Sequence, residues 1–473
     1  MSSDDSNHVE NRCAIIAEKM KKHEIAQAVI DRFLLHYKKL VNGETGMISN
    51  TSIKPLCNVT DSEMLKGYEE SGRNALARTV MIKLNGGLGT SMGMTGAKSL
   101  LEVKKGYSFL DIIIHQILNL RKRYDVKVPV LFMNSTTTRK DTIAVTNRYP
   151  ELKTDIPVDF LQNRVPKISK KTLLPVRFPD DPALEWCPPG HGDIYNALTS
   201  SGILESLVNK GYVYAFVSNA DNLGAVLNLQ ILGYFAQKKH PFMMEVADRT
   251  ENDRKGGHLA ILPEGQLILR EIAQCPKDEL DDFQDYTKFK YFNTNTIWLN
   301  LKTLYQIMQD QNERFNLPII INSKTVDPQD PESEPVYQIE TAMGAAISII
   351  KDASALRVPR GRFLPVKTTQ DLLGMWSDVY NLTDDFHLCL HPSRDKSVII
   401  NLDPEYYKLI NQLTTRFPSG APSLLNCERL DIQGDIYFGS DIILRGCIRL
   451  VNNKDRPAQV PDRTEIVNKT VIF

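Results

Sequence analysis

The stretch Lys83–Ser99, KLNGGLGTSMGMTGAKS, contains glycines at 86, 87, 89, 93 and 96 and ends in a lysine and a serine. Glycines let backbone N–H groups approach phosphate oxygens because no Cβ is in the way, and Lys98 adds a positive charge. A Walker A loop requires glycine where Ala97 stands, and the G-x-G-x-x-G pattern requires its third glycine one residue earlier than position 93. The stretch therefore predicts a phosphate-binding loop of another kind, with a tight structural turn as the alternative.

Strands and helices alternate around this glycine-rich loop. VMIKL (80–84) is a short apolar run that leads into the loop, FLDIIIHQILNLRKRY (109–124) has helical spacing, and VPVLFMN (128–134) is typical of a further strand. Later elements are predicted at 158–163 (strand), 193–211 (helix closed by a glycine), 212–224 (strand, then loop), 241–248 (strand), 257–272 (two strands around a Glu-Gly turn) and 290–300 (strand). This order predicts an α/β fold with a mostly parallel sheet and a ligand site at the carboxyl ends of its strands.

The flanking parts of the chain have different patterns. Residues 14–41 carry apolar positions at helical spacing and stop at Asn42-Gly43, and a second helix is predicted to begin near Asp61. Beyond about 385, short Ile/Leu/Val segments alternate with glycines at 434, 439 and 446, which fits a β-helix or a small sandwich. We therefore expect a helical segment (1–75), a catalytic α/β domain (76–384) and a β-rich C-terminal domain (385–473).

Composition excludes several classes of protein. The 57 Lys and Arg balance the 57 Asp and Glu, whereas nucleic-acid binders usually carry a basic excess. The seven cysteines are scattered and form no CxxC pair, which indicates neither a disulfide framework nor a zinc site. The N-terminus MSSDDSNHVE is acidic, and the apolar runs are far shorter than a membrane span. We expect a cytoplasmic protein with no membrane or nucleic-acid partner.

Two polar residues follow predicted strands at the edge where the loop lies. Asp221, in SNADNLG, suits Mg²⁺, which prefers one or two carboxylates together with substrate phosphates. Gln162 ends the strand in DFLQNRVPKI, and its amide can both donate to and accept from a uracil edge. The alternatives are an ordinary turn at Asp221 and a surface glutamine at 162.

Further candidates lie near other strand and helix ends. His191, in CPPGHGD, is predicted to present an exposed imidazole just before a helix, where it suits a phosphate or a sugar hydroxyl. Glu271, Asn293 and Asn295 are expected near strand ends and suit sugar hydroxyls, whereas Lys367 suits a phosphate. Each of them has a structural turn or loop residue as its alternative.

Seven motifs, in order along the chain, closely resemble those of the eukaryotic-type UDP-glucose pyrophosphorylases (UTP–glucose-1-phosphate uridylyltransferases). They span about 80–375 and read LNGGLGTSMGMTGAKS, FLQNRVPKI, PPGHGDIYNAL, SNADNLGA, GGHLA, FNTNTIW and FLPVKTTQDLL. The resemblance implies a Rossmann-like nucleotidyltransferase domain with a mostly parallel mixed sheet, an N-terminal helical segment and a C-terminal left-handed β-helix. It also implies UTP and glucose 1-phosphate as substrates, Mg²⁺ as cofactor, and possible self-association through the C-terminal domain.

The same resemblance assigns roles to residues of this chain. Lys98 would hold the phosphates of UTP, Lys367 would bind phosphate as the second catalytic lysine, and Asp221 would hold the metal. The implied substrate-binding residues are Leu84, Gly86, Gly87, Met133, Gln162 and Gly190 on the nucleotide side, and His191, Asn219, Gly257, Glu271 and Asn295 on the sugar-phosphate side.

Two positions depart from the family pattern, and two other functions stay open. Ala97 stands where proline is usual, which is expected to make the free loop less rigid and to weaken nucleotide binding modestly. Thr296 stands where the family usually has a second asparagine, which puts a sugar contact there in doubt.

The alternative functions are a uridylyltransferase of a different or broader sugar 1-phosphate range, and a non-catalytic relative that acts as a binding subunit. The loop lacks the arginine expected for N-acetylglucosamine 1-phosphate, and the presence of Lys98, Asp221 and Lys367 disfavours a scaffold.

Overall fold

The computed structural model describes residues 3–310 and 315–473. The α-helices of these ranges are α1 (Ser3–Lys22), α2 (Gln27–Val41), α3 (Glu69–Leu76), α4 (Phe109–Tyr124), α5 (Thr136–Thr146), α6 (Ile194–Ser200), α7 (Ile203–Asn209), α8 (Leu229–Gln237), α9 (Leu280–Gln284), α10 (Leu301–Gln309), α11 (Thr369–Trp376), α12 (Pro404–Tyr407) and α13 (Ile410–Arg416). Across the described residues, none of the helices combines the length and apolarity needed to cross a membrane.

The strands fall into a central group and later groups. Those up to residue 300 are β1 (Lys54–Pro55), β2 (Thr60–Asp61), β3 (Thr79–Asn85), β4 (Glu102–Lys104), β5 (Tyr107–Ser108), β6 (Val130–Asn134), β7 (Asp159–Leu161), β8 (Val165–Pro166), β9 (Ile168–Ser169), β10 (Trp186–Cys187), β11 (Tyr214–Asn219), β12 (Phe242–Asp248), β13 (His258–Ile261), β14 (Leu267–Arg270) and β15 (Tyr291–Asn300). Those beyond are β16 (Ile319–Thr325), β17 (Pro335–Thr341), β18 (Ser354–Arg357), β19 (Tyr380–Leu382), β20 (Leu388–Leu390), β21 (Ile399–Leu402), β22 (Ser423–Gln433), β23 (Ile436–Phe438), β24 (Ile443–Val451), β25 (Ala458–Val460), β26 (Glu465–Val467) and β27 (Thr470–Ile472).

One large sheet organises the middle of the chain, in the order β2-β18-β12-β15-β11-β3-β6-β7. Strands β11, β3, β6 and β7 are parallel neighbours, whereas β15 runs antiparallel to both β11 and β12. Val80 and Ile82 of β3 pack into one apolar cluster and Met81 into the other, so both faces of the strand are covered. Burial on both faces explains the continuous apolar runs in the sequence. The predicted mostly parallel mixed sheet is confirmed.

Several predicted elements agree with the structure in type and place. The helix predicted at 109–124 is α4, which begins with a capping box between Ser108 and Asp111. The hairpin predicted at 257–272 is β13 and β14, which pair antiparallel around Gly265 at φ +95°. Short-range periodicity and turn residues are sufficient signals for such elements.

Three predicted helices differ from the structure. The helix predicted at 193–211 is two helices, α6 and α7, because Gly202 adopts a left-handed conformation with φ +73°. The helix predicted at 14–41 is likewise interrupted between α1 and α2, where Glu24 has φ +58°. Asp61 caps a 3₁₀ turn instead of an α-helix, and α3 begins only at Glu69.

The C-terminal strands form parallel ladders. Strands β21, β22, β24, β26 and β27 belong to one sheet, and β23 pairs with β25 in a second, all in parallel. Parallel pairing of successive passes fits the predicted β-helix and disagrees with the alternative of a sandwich, whose sheets are antiparallel. The handedness of the coil stays a prediction. The domain boundaries near 75 and 385 do too, because one apolar cluster continues from the central sheet into these strands.

Helices α3 and α8 pack against each other with their backbones in contact. A Cβ added to Gly72 would lie 2.0 Å from the carbonyl oxygen of Leu229, and one added to Gly233 would lie 1.9 Å from that of Tyr68. Only glycine allows this approach, because both oxygens belong to the backbone and cannot move aside as a flexible side chain could.

We predict that Gly72→Ala lowers the free energy of unfolding by about 2–3 kcal/mol, because the two helices must separate to admit a methyl group. Urea denaturation measures the change. The matched control is Gly361→Ala, whose added Cβ meets no atom of the described residues within 4 Å and which should change stability by less than about 0.5 kcal/mol. Equal stability of the two variants would contradict the close helix contact.

Candidate functional site

The carboxyl ends of three neighbouring strands lie in one row. Leu84 of β3 pairs with Asn219 of β11 on one side and with Met133 of β6 on the other. The glycine-rich loop that follows β3 and the loop of Asp221 that follows β11 therefore leave the sheet side by side. Parallel strands make this placement unavoidable, since they end at the same edge.

A cavity of about 300 Å³ opens at this edge. Ten residues predicted from the sequence line it: Leu84, Gly86, Gly87, Lys98, Met133, Gln162, Gly190, His191, Asn219 and Asp221. Residues that the prediction did not include also line it: Asn85, Ser99, Pro188 and Ala220. A larger cavity of about 660 Å³ lies between α4 and residues 384–387, but none of the motif residues lines it.

Lys98 and Asp221 form an ion pair in the cavity wall. The Nζ atom of Lys98 lies 2.6 Å from Oδ2 of Asp221, and both side chains are largely buried. The backbone N–H of Lys98 also donates to the carbonyl oxygen of Gly87 at 3.1 Å, which closes the loop. The second carboxylate oxygen of Asp221, Oδ1, is buried and has no hydrogen-bond partner among the described residues. A buried oxygen of this kind is costly unless a ligand satisfies it.

The amide of Gln162 is held at the opposite wall. Its Nε2 donates to the carbonyl oxygen of Gly190 at 3.0 Å. A Cβ on Gly86 would lie 2.8 Å from Oε1 of Gln162, so the glycine at position 86 leaves the space that the amide of Gln162 occupies. One donor and one acceptor are thus fixed in direction beside the glycine-rich loop.

His191 lies in the 3₁₀ turn that leads into α6. Its Nδ1 accepts a hydrogen bond from the backbone N–H of Met343 at 2.9 Å, which leaves Nε2 as the protonated nitrogen of the neutral ring. Burial lowers the pKa of His191 to about 4, so the ring is neutral at pH 7. The predicted exposed imidazole is therefore wrong: the ring is partly buried and fixed by a residue distant in sequence.

Five candidate residues lie outside the cavity wall, and three of them form a second group. A Cβ on Gly257 would lie 2.4 Å from Oε2 of Glu271, so the two residues are in direct contact. Burial raises the pKa of the Glu271 carboxyl, and the positive charge of Lys367 opposes this shift. Lys367 itself is exposed, with its Nζ 5.8 Å from the centre of the Phe363 ring.

The segment that carries Lys367 is attached to the loop of Asp221. The backbone N–H of Val366 donates to the carbonyl oxygen of Asp221 at 3.3 Å, and that of Leu364 donates to Oδ1 of Asn222 at 2.8 Å. Arg362 at the start of the segment forms a two-point ion pair with buried Glu245. These contacts place the second group next to the first.

Asn295, which also lies outside the cavity wall, is in the middle of β15, so its predicted position near a strand end is wrong. Asn293 is the third residue of the same strand and lies near its start, as predicted. The pairing of β12 with β15 shifts between Glu245–Thr296 and Val246–Asn293, which leaves Asn295 in a bulge at φ +55°. Asparagine adopts this conformation more readily than most residues. The bulge is held by a hydrogen bond from Nδ2 of Asn293 to Oδ1 of Asn295 at 2.8 Å. Bulges beside active sites commonly redirect a side chain.

Two polar residues beneath the site were missed from the sequence. Lys83 of β3 is fully buried and donates from Nζ to Oγ of Ser218 at 2.7 Å and to the carbonyl oxygen of Ala225 at 3.0 Å. Asp193 is buried and accepts a hydrogen bond from the backbone N–H of Asn163 at 2.7 Å. The sequence does carry a signal for Lys83, which is a lysine inside the apolar run VMIKL. It carries none for the burial of Asp193, because the partner Asn163 is remote in sequence.

Thr294 and Thr296 on the bulged strand are both buried but differ in their hydrogen bonds. The hydroxyl of Thr294 donates to the carbonyl oxygen of Glu245 at 2.7 Å. The hydroxyl of Thr296 is buried without a partner among the described residues. Thr296 thus points into the core, as an apolar side chain would.

We predict that Thr296→Val leaves the free energy of unfolding unchanged or raises it by up to about 1 kcal/mol, because an unsatisfied hydroxyl is removed. The matched variant Thr294→Val should lower it by about 1–2 kcal/mol, because a buried hydrogen bond is lost. Urea denaturation of both variants measures the difference. The opposite order of stabilities would show that Thr296 has a polar role.

The chain is similar to known proteins over most of its length. The model of the UTP–glucose-1-phosphate uridylyltransferase family matches residues 30–445. A UTP–glucose-1-phosphate uridylyltransferase from Hordeum vulgare is 41% identical over 399 residues, which cover 84% of this chain and 82% of the relative. One from Saccharomyces cerevisiae is 40% identical over 415 residues, which cover 87% and 81%.

Solved structures agree over almost the full length. A mutant of UDP-glucose pyrophosphorylase from Leishmania major, in complex with UDP-glucose, superposes with a TM-score of 0.92 at 40% identity, covering 98% of this chain and 99% of that one. A UDP-glucose phosphorylase from Trypanosoma brucei superposes with a TM-score of 0.91 at 42% identity, covering 98% and 100%.

Proposed function

The chain belongs to the UTP–glucose-1-phosphate uridylyltransferase family, and we propose that its two groups of site residues bind UTP and glucose 1-phosphate on either side of Asp221. It is a nucleotidyltransferase that transfers the uridylyl group of UTP to glucose 1-phosphate and releases pyrophosphate. The observation that supports this assignment of residues best is the Lys98–Asp221 pair beside the cavity, in which one buried carboxylate oxygen has no hydrogen-bond partner among the described residues.

The cavity at the strand ends is the proposed UTP site. Its volume of about 300 Å³ is at the lower end of the range of small-molecule sites. Gly86 and Gly87 leave backbone room for the uridine, with Leu84 beneath them in the cavity wall. Met133 and the oriented amide of Gln162 are proposed to contact the uracil, beside Gly190.

The second group is the proposed sugar-phosphate site. The Glu271 carboxylate accepts hydrogen bonds from sugar hydroxyls, and Gly257 leaves the space that such a ligand needs next to it. From the neighbouring cavity wall, His191, neutral at pH 7, donates from Nε2 and Asn219 supplies an amide group. Asn295 supplies another amide group from the bulge of β15. Lys367 supplies the positive charge for the phosphate.

The residues at Asp221 fit a magnesium ion. Among the described residues there is no group of three His, Cys, Asp or Glu side chains that could hold a metal alone. Mg²⁺ is usually bound by one or two carboxylates together with substrate phosphates, and the free Oδ1 of Asp221 fits this pattern. Mg²⁺ bound there would neutralise phosphate charge. Since Lys98 and Asp221 balance each other, the pair can take up a phosphate and a cation together.

The reaction needs positioning and charge neutralisation more than proton transfer. A phosphate oxygen of glucose 1-phosphate attacks the α-phosphorus of UTP in line, and pyrophosphate leaves. This nucleophile is already an anion, so it needs no general base. His191 is a poor base in any case, because its pKa is about 4 and Nδ1 already accepts a hydrogen bond. Lys98 and Lys367 hold the two anions against their mutual repulsion.

We predict that Lys98→Ala and Asp221→Ala each lower kcat by about 10² or more, because the first removes a positive charge from the phosphates and the second removes the carboxylate proposed to hold Mg²⁺. Pyrophosphate release from UTP and glucose 1-phosphate, with and without Mg²⁺, measures the effect. Far-UV circular dichroism should show an unchanged fold. Near-normal turnover in either variant would contradict the assigned roles.

The same assay separates the alternative functions. Release of pyrophosphate with glucose 1-phosphate but not with N-acetylglucosamine 1-phosphate supports the proposed sugar. Comparable rates with several sugar 1-phosphates would show a broader range. Binding of UTP without turnover of any sugar phosphate would show a binding subunit.

We also propose that the enzyme acts in the cytoplasm and associates with itself through its C-terminal strands. Val467 and Ile472, near the end of the chain, expose 51% and 70% of their surface. Exposed apolar side chains at the end of a stack of strands favour a second copy as partner. We predict a mass in light scattering that is a multiple of 53.5 kDa, reduced by Ile472→Asp. A monomer at micromolar concentration would contradict this proposal.

A further inference from the structure

Helix α11 (Thr369–Trp376) connects the surroundings of the two site lysines. It begins two residues after Lys367, and its last residue lies against the hairpin of β4 and β5. That hairpin begins four residues after Lys98. Lys367 is therefore joined by a short stretch of chain to one end of the helix, and Lys98 is joined by another to the hairpin that contacts the other end.

The C-terminal end of α11 is fixed by Lys104 of β4. Its Nζ donates to the carbonyl oxygens of Met375 at 3.0 Å and Trp376 at 3.2 Å, and to that of Ser377. These are among the carbonyls that a helix leaves without internal partners, at the end where the helix dipole favours a cation. An ammonium group has three N–H donors, so every donor of Lys104 is used on this helix end.

A fourth hydrogen bond joins the same two elements, this time donated by the helix. The indole Nε1 of Trp376 donates to the carbonyl oxygen of Glu102 at 3.0 Å. The hairpin and the helix end are thus joined in both directions, by a donor from each side. A two-point attachment restricts rotation as well as separation.

The N-terminal end of α11 is equally fixed to Lys367. Thr368 and Asp371 form a capping box, and the backbone N–H of Lys367 donates to Oδ2 of Asp371 at 2.8 Å. The helix between the two ends has eight residues, a rigid length of about 12 Å. A displacement of its C-terminal end is therefore passed on to Lys367.

We propose that Lys104 is a positioning residue that sets the placement of Lys367 relative to Lys98 through helix α11. The inference rests on the proposed roles of Lys98 and Lys367 in holding the two phosphate-bearing substrates. Lys104 acts without contacting either substrate. Displacements of about 1 Å between reacting groups are enough to lower turnover strongly.

The protonation of Lys104 suits this role. Burial lowers its pKa to about 8, opposed by the charge of Asp378 and assisted by that of Lys105. The ammonium form is thus the main form at pH 7. The neutral amine has only two donors for three carbonyls.

The test compares Lys104→Met with Lys104→Arg and with Lys105→Met, which removes an exposed lysine of the same hairpin. We expect Lys104→Met to lower kcat per folded molecule about tenfold at pH 7 while KM for UTP changes less than about threefold. Lys104→Arg should restore kcat to within about threefold, because the guanidinium also caps helix ends. Lys105→Met should match the wild type. A wild-type kcat in Lys104→Met overturns the proposal.

A double-mutant cycle distinguishes positioning from a general loss of structure. In a Lys367→Ala background, Lys104→Met should lower kcat by less than twofold, because its effect passes through the side chain already removed. A persistent tenfold loss overturns the proposal. If Lys104→Met does not fold, Trp376→Phe replaces it, with an expected threefold loss that also disappears in the Lys367→Ala background.

Failure of the inference and failure of the proposed function give different results. A wild type that releases no pyrophosphate contradicts the function. A Lys367→Ala variant with normal kcat contradicts the role of that lysine and overturns the inference, while uridylyl transfer by the wild type stands.

Discussion

The in-register pairing of β3 with β11 is the constraint on which the rest of the site depends. Because Leu84 and Asn219 are opposite each other at the carboxyl edge, the glycine-rich loop and the loop of Asp221 must start together. Buried Lys83 holds this register, since its Nζ bonds both Ser218 of β11 and the loop carbonyl of Ala225. A shift by one residue would turn Lys83 to the other face of the sheet and separate Lys98 from Asp221.

The buried charges beneath the site follow from that geometry. Glu245 is satisfied by the two-point ion pair with Arg362 and by the indole N–H of Trp298 at 2.9 Å. Among the described residues no carboxylate forms an ion pair with Lys83, and burial lowers its pKa to about 7. Hydrogen bonds rather than an ion pair hold it, which suits a strand position whose role is to fix register. The pair with Arg362 in turn sets the start of the segment that carries Lys367.

Local sequence patterns predicted most helices and strands of the catalytic part well. Features that depend on contacts between residues distant in sequence could not be predicted in this way. Strand and helix periodicity was sufficient for α4 and for the strands that bring ten candidate residues to one cavity. The burial of His191 could not be predicted, because its partner Met343 lies 152 positions away. The bulge at Asn295 depends in the same way on its pairing with β12. Breaks at Gly202 and Glu24 depend on left-handed conformations that helical spacing does not reveal.

The two departures from the family pattern are both compatible with an intact site. Ala97 is fully buried and has φ −61°, close to the value to which proline is locked. The folded loop thus keeps the backbone that proline would impose, and only the freedom of the loop in less ordered states differs. Thr296 points into the core, and the adjacent Asn295 occupies the bulge. The sugar side therefore keeps an amide at the bulge, since the residue that changed is fully buried.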